Sequence, residues 1–227
     1  MKSKLGIIIF ARYSSKRLRG KTLALINKTT LLEIIYRRLL KVSKNIPIII
    51  ATSTLNADDK IDKFCKKKNY LVFRGSHNNV LKRTLDCCKK FKLDSFVRVC
   101  CDRPFVDFNL IKKMIIYFKK NPHYEIITNN YPKTYPSGLT SEIVKVSSYK
   151  KINFYKFSKT DKEHICNYFY RKSKYFKIKN FKSKNINQRK LNLAIDYKKD
   201  LIFTKKIYKK YNYNFLINTS VILKGLK

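Results

Sequence analysis

No stretch of this chain approaches the ~18 consecutive apolar residues of a membrane span. The first apolar run, Leu5 to Phe10, is cut off by Arg12, too soon for a secretory signal. A soluble, cytoplasmic protein with no membrane span is therefore expected. The six cysteines form no C-x-x-C, and no Cys/His spacing resembles a zinc site. Two adjacent pairs, Cys87-Cys88 and Cys100-Cys101, fit reduced and mostly buried thiols better than shared metal ligands. Neither a Walker loop nor a G-x-G-x-x-G dinucleotide fingerprint occurs. Internal repeats and flexible linkers are also missing, so residues 1–227 read as a single domain. Acids are scarce: 14 Asp and Glu stand against 53 Lys and Arg, for a formal charge of +39.

That charge raises a nucleic-acid hypothesis. Of the 53 basic residues 42 are Lys, and they are spread through the chain rather than gathered in a tail or stripe. Lys, Asn, Ile, Tyr and Phe are all heavily used while Ala occurs five times, the joint bias of an AT-rich coding sequence. No recognition helix, stacking motif or zinc module accompanies the charge. A specific nucleic-acid partner is not expected. Hydrophobic residues at 44%, with 14% aromatic, are ample for a packed core and exclude global disorder.

Short β-branched runs alternate with helical periods. Strands are expected at Leu5–Phe10, Ile48–Ala51, Tyr70–Phe73 and Ser95–Cys100, with helices at 31–42, 58–68 and 80–91 between them. Thr29 or Thr30 suits the first helix as N-cap. Four such repetitions specify an α/β fold with a mostly parallel central sheet. The second half is less regular. Helices are expected at 110–118, 161–171, 200–210 and 214–223, and strands at 124–128, 141–146, 175–181 and 191–195. A Pro/Tyr-rich loop covers 129–138 and a Lys/Asn-rich one 182–190.

Chemistry concentrates after the first strand. Residues 12 to 21 carry Arg12, Lys16, Arg17, Arg19 and Lys21, two serines and one glycine, with no acid. At the carboxyl end of a parallel sheet, where open α/β folds bind ligands, such a loop suits an anion such as a polyphosphate. The plain alternative is a solvated basic loop in a very basic chain, and charge alone does not separate the two. Asp102 and Asp196 each follow an apolar strand directly, on the same rim as this loop. Two carboxylates beside a phosphate site are what Mg²⁺ needs; helix capping, which Asp107 and Asp200 would serve well, is the competing role. His164, on an amphipathic helix, reads as structural on its own.

The segment I-I-I-F-A-R-Y-S-S-K-R-L-R-G-K resembles the opening of the sugar cytidylyltransferases, the spore-coat polysaccharide type most closely. The 3-deoxy-manno-octulosonate and acylneuraminate cytidylyltransferases are more distant. Arg12, Ser15, Arg17, Leu18, Gly20 and Lys21 stand at matching places, while Phe10 replaces a usual Gln and Arg19 a Pro. C-D-R-P-F-V-D resembles the family's G-D-x-P-[LF]-[IV]-D, with Cys101 for Gly. L-A-I-D-Y-K-K-D resembles its L-T-V-D-x-x-x-D. F-R-G-S at 73–76, T-Y-P-S-G-L at 134–139 and Glu163-His164 match further, with Asn79 and Thr140 where the family carries Asp.

The resemblance implies a three-layer αβα, Rossmann-like nucleotide-diphospho-sugar transferase fold. It implies an enzyme that couples CTP to a sugar, an acidic one expected, and releases pyrophosphate for surface polysaccharide biosynthesis. Ala11, Arg12, Ser15, Lys21, Thr52, Ser53, Arg74 and Asp102 would bind the nucleotide. Lys21, Arg12 and Asp102 would act in catalysis, and Asp102 and Asp196 would hold Mg²⁺. Tyr135, Gly138, Glu142, Glu163 and His164 would shape the sugar pocket. A homodimer through the less regular half is the assembly it allows. A glycosyltransferase, or a nucleotidyltransferase using another NTP on a sugar phosphate, shares the fold and stays open. A basic nucleic-acid-binding protein is the non-enzyme alternative.

Overall fold

A computed structural model of the chain describes residues 4–15, 17–152 and 157–226. The first strand, β1 (Leu5–Phe10), leads through the basic loop to a small hairpin, β2 (Leu25–Ile26) and β3 (Thr29–Thr30), and then α1 (Leu31–Leu40). There follow β4 (Ile48–Ser53), α2 (Asp59–Lys67), β5 (Leu71–Gly75), α3 (Val80–Phe91), β6 (Ser95–Cys100) and α4 (Phe108–Lys120). The remainder comprises β7 (Ile126–Thr128), β8 (Glu142–Lys145), α5 (Val146–Lys150), α6 (Lys159–Glu163), α7 (Asn167–Arg171), β9 (Ile178–Asn180), α8 (Lys198–Lys210) and α9 (Thr219–Lys224).

One seven-stranded sheet runs β5-β4-β1-β6-β8-β7-β9. Only β8 is antiparallel to its neighbours, so the expected mostly parallel sheet is present. Alternate residues of each buried strand feed two cores, as the two-residue period of a strand requires. Ile7, Ile9, Ile50, Val97 and Val99 pack with residues of α1, α2, α4 and α8 on one face. Ile8, Ile49, Phe96 and Val144 pack with residues of α3, α5 and α7 on the other. That is the three-layer arrangement.

Local chemistry sets the helix starts. The Thr30 hydroxyl accepts from Glu33 N–H (3.2 Å), Asn79 from Lys82 (2.8 Å) and Asp107 from Leu110 (3.0 Å). Each cap contributes about 1 kcal/mol. Asn79, in place of the family's Asp, thus keeps the cap without the charge. Asp200 is not the N-cap itself, which is Tyr197, but the third residue of α8, and it serves the helix start from there: its carboxylate accepts from Asp196 (2.9 Å) and Tyr197 (2.8 Å).

Three further expectations need correction. Residues 191–195 are extended but join no sheet. Their backbone is taken up by Ser137 on one side (Ser137 N–H to Leu191 O, 3.2 Å; Leu193 N–H to Ser137 O, 2.8 Å) and by Asp102 O, which accepts from Ile195 at 2.8 Å. Leu193 and Ile195 are buried all the same, which is why the stretch reads as a strand. The helix expected at 161–171 is two, α6 and α7, broken at His164 (φ −104°, ψ 77°). The final helix starts at Thr219 rather than 214, and both the hairpin and α5 were not foreseen.

Arg38, on α1, is fully buried. It donates to the carbonyls of Val106 (2.9 Å), Phe215 (2.8 Å) and Ile217 (2.9 Å) and to Thr219 Oγ1 (3.0 Å). One guanidinium thereby fastens the C-terminal segment against the sheet layer that carries the site.

Candidate active site

The basic loop is held at the carboxyl end of β1 by a buried carboxylate. Asp58, just before α2, accepts from Tyr13 N–H at 2.6 Å, from Ser53 N–H at 3.1 Å and from the Ser53 hydroxyl. Ala11 is buried and its N–H donates to Ala51 O (3.1 Å), so the loop leaves the sheet between β1 and β4. Gly20 sits at φ +76°, a left-handed turn closed by its N–H to Tyr13 O (2.8 Å), and this turn aims Lys21 inward. Ser15 is half-buried in the same loop, and Lys16 lies outside the described residues.

Lys21 is the centre of the site. Its ammonium donates to Ile195 O (2.6 Å) and Asp196 Oδ1 (3.3 Å) and lies 3.6 Å from Asp102 Oδ2. Two contacts of 3.3 and 3.6 Å to one nitrogen put the two carboxylate oxygens within about 7 Å of each other. Arg17 adds a second cation, 2.7 Å from Asp196 Oδ1, with its guanidinium 5.8 Å from the Tyr197 ring centroid. Arg12 reaches across to the end of α6, 3.3 Å from Glu163 Oε1, and its carbonyl accepts from Thr22 Oγ1 (2.9 Å). Three cations of the loop therefore face three acids of distant segments. Those three acids, Asp102, Asp196 and Glu163, are carried by loops or helix ends.

The polar atoms facing the Lys21 ammonium among the described residues are oxygens: two carboxylates and the Ile195 carbonyl. That set suits a hard divalent cation such as Mg²⁺, and the ammonium between the carboxylates marks a place built for positive charge. Gly138 explains how Asp196 gets there. It adopts φ +90°, and a Cβ on it would stand 2.4 Å from the Leu193 carbonyl carbon. The 136–140 turn can pack against 191–195 only because that side chain is missing. Cys101, replacing the family's Gly, has no positive φ, and its N–H donates to Phe10 O (2.9 Å), carrying the β1–β6 pairing one residue further.

The other expected nucleotide residues line the β4–β5 side. Thr52 and Ser53 are fully buried, and the Thr52 hydroxyl has no partner. Arg74 donates to Ser53 O (3.1 Å) and Leu55 O (3.1 Å) and pairs with Asp59 (2.6 Å). Beneath them the buried Arg83 of α3 donates to Ser76 O (2.7 Å). Burial and then the Arg12 charge lower its pKa to about 10.

The expected sugar residues divide. Glu142 and His164 line a polar cavity of about 160 Å³ together with Arg98, Arg103 and Tyr170. Glu163 faces Arg12 instead. Tyr135 is half-buried and packs against the core on the α1/α4 face, where burial and then Asp107 raise its pKa. Phe10 lies 5.8 Å under the Arg98 guanidinium and so supports the cavity floor.

The family description Cytidylyltransferase matches residues 6–223. The chain belongs to the cytidylyltransferase family. A cytidylyltransferase of Leptospira borgpetersenii serovar Hardjo-bovis has a similar structure, with TM-score 0.92 and 30% identity over 99% of this chain and 94% of that one. An uncharacterized protein of Methanocaldococcus jannaschii is 32% identical over 216 residues, 94% of this chain and 86% of its own. The spore coat polysaccharide biosynthesis protein SpsF of Bacillus subtilis is 34% identical over 142 residues, 60% of this chain and 57% of its own. The resemblance read from the basic loop and the two Asp motifs is thus borne out, and so is the fold it implies. Other residues near the site escape sequence reasoning. Asp58 was indistinguishable from a helix-start acid, and Arg98 and Arg83 from ordinary surface cations.

Proposed function

We propose that this cytidylyltransferase transfers the cytidylyl group of CTP to a sugar, giving a CMP-sugar and pyrophosphate for surface polysaccharide biosynthesis. The observation that carries this reading is the Lys21 ammonium between Asp102, just after β6, and Asp196, at the end of the extended segment 191–195. The name of the Bacillus relative supports the polysaccharide role, and the resemblance to the 3-deoxy-manno-octulosonate and acylneuraminate enzymes supports an acidic sugar.

In this reading a sugar hydroxyl attacks the α-phosphorus of CTP in line. A new P–O bond forms, the bond to the pyrophosphate oxygen breaks, and the hydroxyl proton passes to solvent water. Such transfers depend on positioning and charge stabilisation more than on covalent chemistry. Lys21, Arg12 and Arg17 would exchange their carboxylate partners for phosphate oxygens and offset the charge that builds on pyrophosphate. Loop N–H groups, Ser15 and Arg74 would orient the nucleotide, with Thr52 and Ser53 shaping its pocket. Asp102 and Asp196 would hold Mg²⁺, which when bound supplies Lewis-acid neutralisation of phosphate oxygens. Glu142, Glu163 and His164, with Tyr135 and Gly138 behind them, would shape the sugar side. A cytoplasmic location, where CTP is made, and a homodimer belong to the same reading.

The test is a pyrophosphate-release screen of the four NTPs against 2-keto sugar acids, neutral sugars and sugar phosphates. CTP with a sugar is the expected pair. Turnover of another NTP, or glycosyl transfer from a finished nucleotide sugar, would overturn the reading.

A further inference from the structure

The cavity beside Asp102 holds a charge that its own walls do not neutralise. Two arginines and one acid line it. Arg98 Nη1 lies 3.2 Å from Glu142 Oε2, and the other Glu142 oxygen accepts from the Tyr170 hydroxyl at 3.3 Å. Thr128 Oγ1 is 2.9 Å from that hydroxyl. These contacts pair Arg98 with Glu142 and occupy both oxygens of the acid, while Arg98 Nε is buried without a hydrogen-bond partner among the described residues.

Arg103 is different. Its side chain is 12% exposed, and its Nη1 is buried without a hydrogen-bond partner. Its nearest carboxylate oxygen in an ion pair, Asp102 Oδ1, is 3.9 Å from Nε, beyond hydrogen-bond reach. That acid already faces Lys21. A buried guanidinium nitrogen with no partner among the described residues is costly unless an acceptor completes it, and a guanidinium matches a carboxylate in shape.

Position adds a second reason. Arg103 follows Asp102 directly, so one turn carries a carboxylate of the proposed metal pair and a guanidinium of the cavity wall. In the motif C-D-R-P the Arg stands at the place the family pattern leaves open, so the pattern does not dictate it.

We infer that Arg103 is a specificity-determining residue that binds the carboxylate of the sugar acceptor. This rests on the reading of the site as one for sugar cytidylylation. With Arg98 paired to Glu142, the one guanidinium of Arg103 suits a monoanionic carboxylate rather than the dianion of a sugar phosphate.

The test is direct binding to the full chain by isothermal titration, with CTP binding titrated alongside. The probes are 3-deoxy-manno-octulosonate, N-acetylneuraminate, mannose and mannose 1-phosphate. At least one acid should bind the unmodified protein while mannose does not. Arg103→Gln should weaken that acid about 10- to 100-fold, the span of a charge-assisted hydrogen bond, and Arg103→Lys should lose less. CTP binding and melting temperature should stay close to those of the unmodified protein; a merely structural Arg103 would move both together. Preference for the phosphate, binding of mannose equal to the acids, no binding of either acid, or an unchanged acid affinity in Arg103→Gln would each overturn the inference. Acid binding that depends on Arg103, without pyrophosphate release from CTP, would instead sink the proposed reaction and leave the inference standing.

Discussion

Lys21 Nζ stands 3.3 Å from Asp196 Oδ1, and the same nitrogen is 3.6 Å from Asp102 Oδ2. With Arg17 also on Asp196, two cations balance two carboxylates in the ligand-free protein. A divalent cation must compete with that ammonium, whereas the triphosphate of CTP gives Lys21 and Arg17 another anion to face. Mn²⁺ affinity, titrated by calorimetry, should therefore rise at least about tenfold when CTP is present, a coupling of ordinary size. Lys21→Met should raise Mn²⁺ affinity in the absence of CTP. Asp102→Asn and Asp196→Asn should each lower turnover by about a hundredfold or more while circular dichroism stays unchanged. Lys21→Ala should do likewise, and Lys16→Ala should matter little. Metal affinity indifferent to CTP, or full activity in Asp196→Asn, would mean the site is assigned wrongly.

Asp58 ties the basic loop to β4 through three donors. Removing the acceptor leaves buried N–H and O–H groups unpaired, at about 1–3 kcal/mol each before relaxation. Asp58→Ala should lower unfolding free energy by about 2–4 kcal/mol and weaken CTP binding about tenfold. Denaturant titration and CTP calorimetry read the two effects. A folded Asp58→Ala protein with undiminished CTP affinity would show that the loop is held by other means.

What could be read in advance follows from range of interaction. Buried strands declare themselves as short, largely apolar runs, so Leu5–Phe10 and Ser95–Cys100, the latter despite Arg98, match the structure at both ends. The loop and the two Asp motifs are local strings and were legible for the same reason. Residues 191–195 carry a true burial alternation, but whether an extended segment finds a sheet depends on Ser137 and Asp102, far away in sequence. The cavity is hidden for a like reason. Arg98 is one residue of a strand and Arg103 one residue of a turn, and only the antiparallel pairing of β6 with β8 sets Arg98 opposite Glu142.

The net charge of +39 should act as diffuse background. Binding to random duplex DNA should be detectable at low salt and fade towards physiological salt, because dispersed lysines give only counterion release. Fluorescence anisotropy across a salt series checks this. Tight, sequence-dependent binding at physiological salt would revive the nucleic-acid alternative.

Arg38 offers a stability test remote from the chemistry. Its replacement by Met strands three carbonyls and removes one of the two partners of the Thr219 hydroxyl, which keeps Phe105 O. The expected loss is about 3–5 kcal/mol, seen as a lowered midpoint in urea. A loss below about 1 kcal/mol would mean the C-terminal segment is held without it.

Buried thiols give the protein a predictable alkaline weakness. Burial pushes Cys65 and Cys87 from an ordinary 9.0 up to about 12. A raised value in the folded state means the neutral thiol is favoured there. Its stabilising contribution is complete below about 9 and is lost as pH rises through 9 towards 12. Each thiol contributes a slope of at most about 1.4 kcal/mol per pH unit inside that window. Arg83, lowered to about 10, works in the opposite sense and only above that pH. Between pH 8 and 10, in reducing agent, the melting temperature should therefore fall, and Cys87→Ala should fall less steeply than the unmodified protein. A flat profile in both proteins would show that these thiols ionise in place, without cost to the fold.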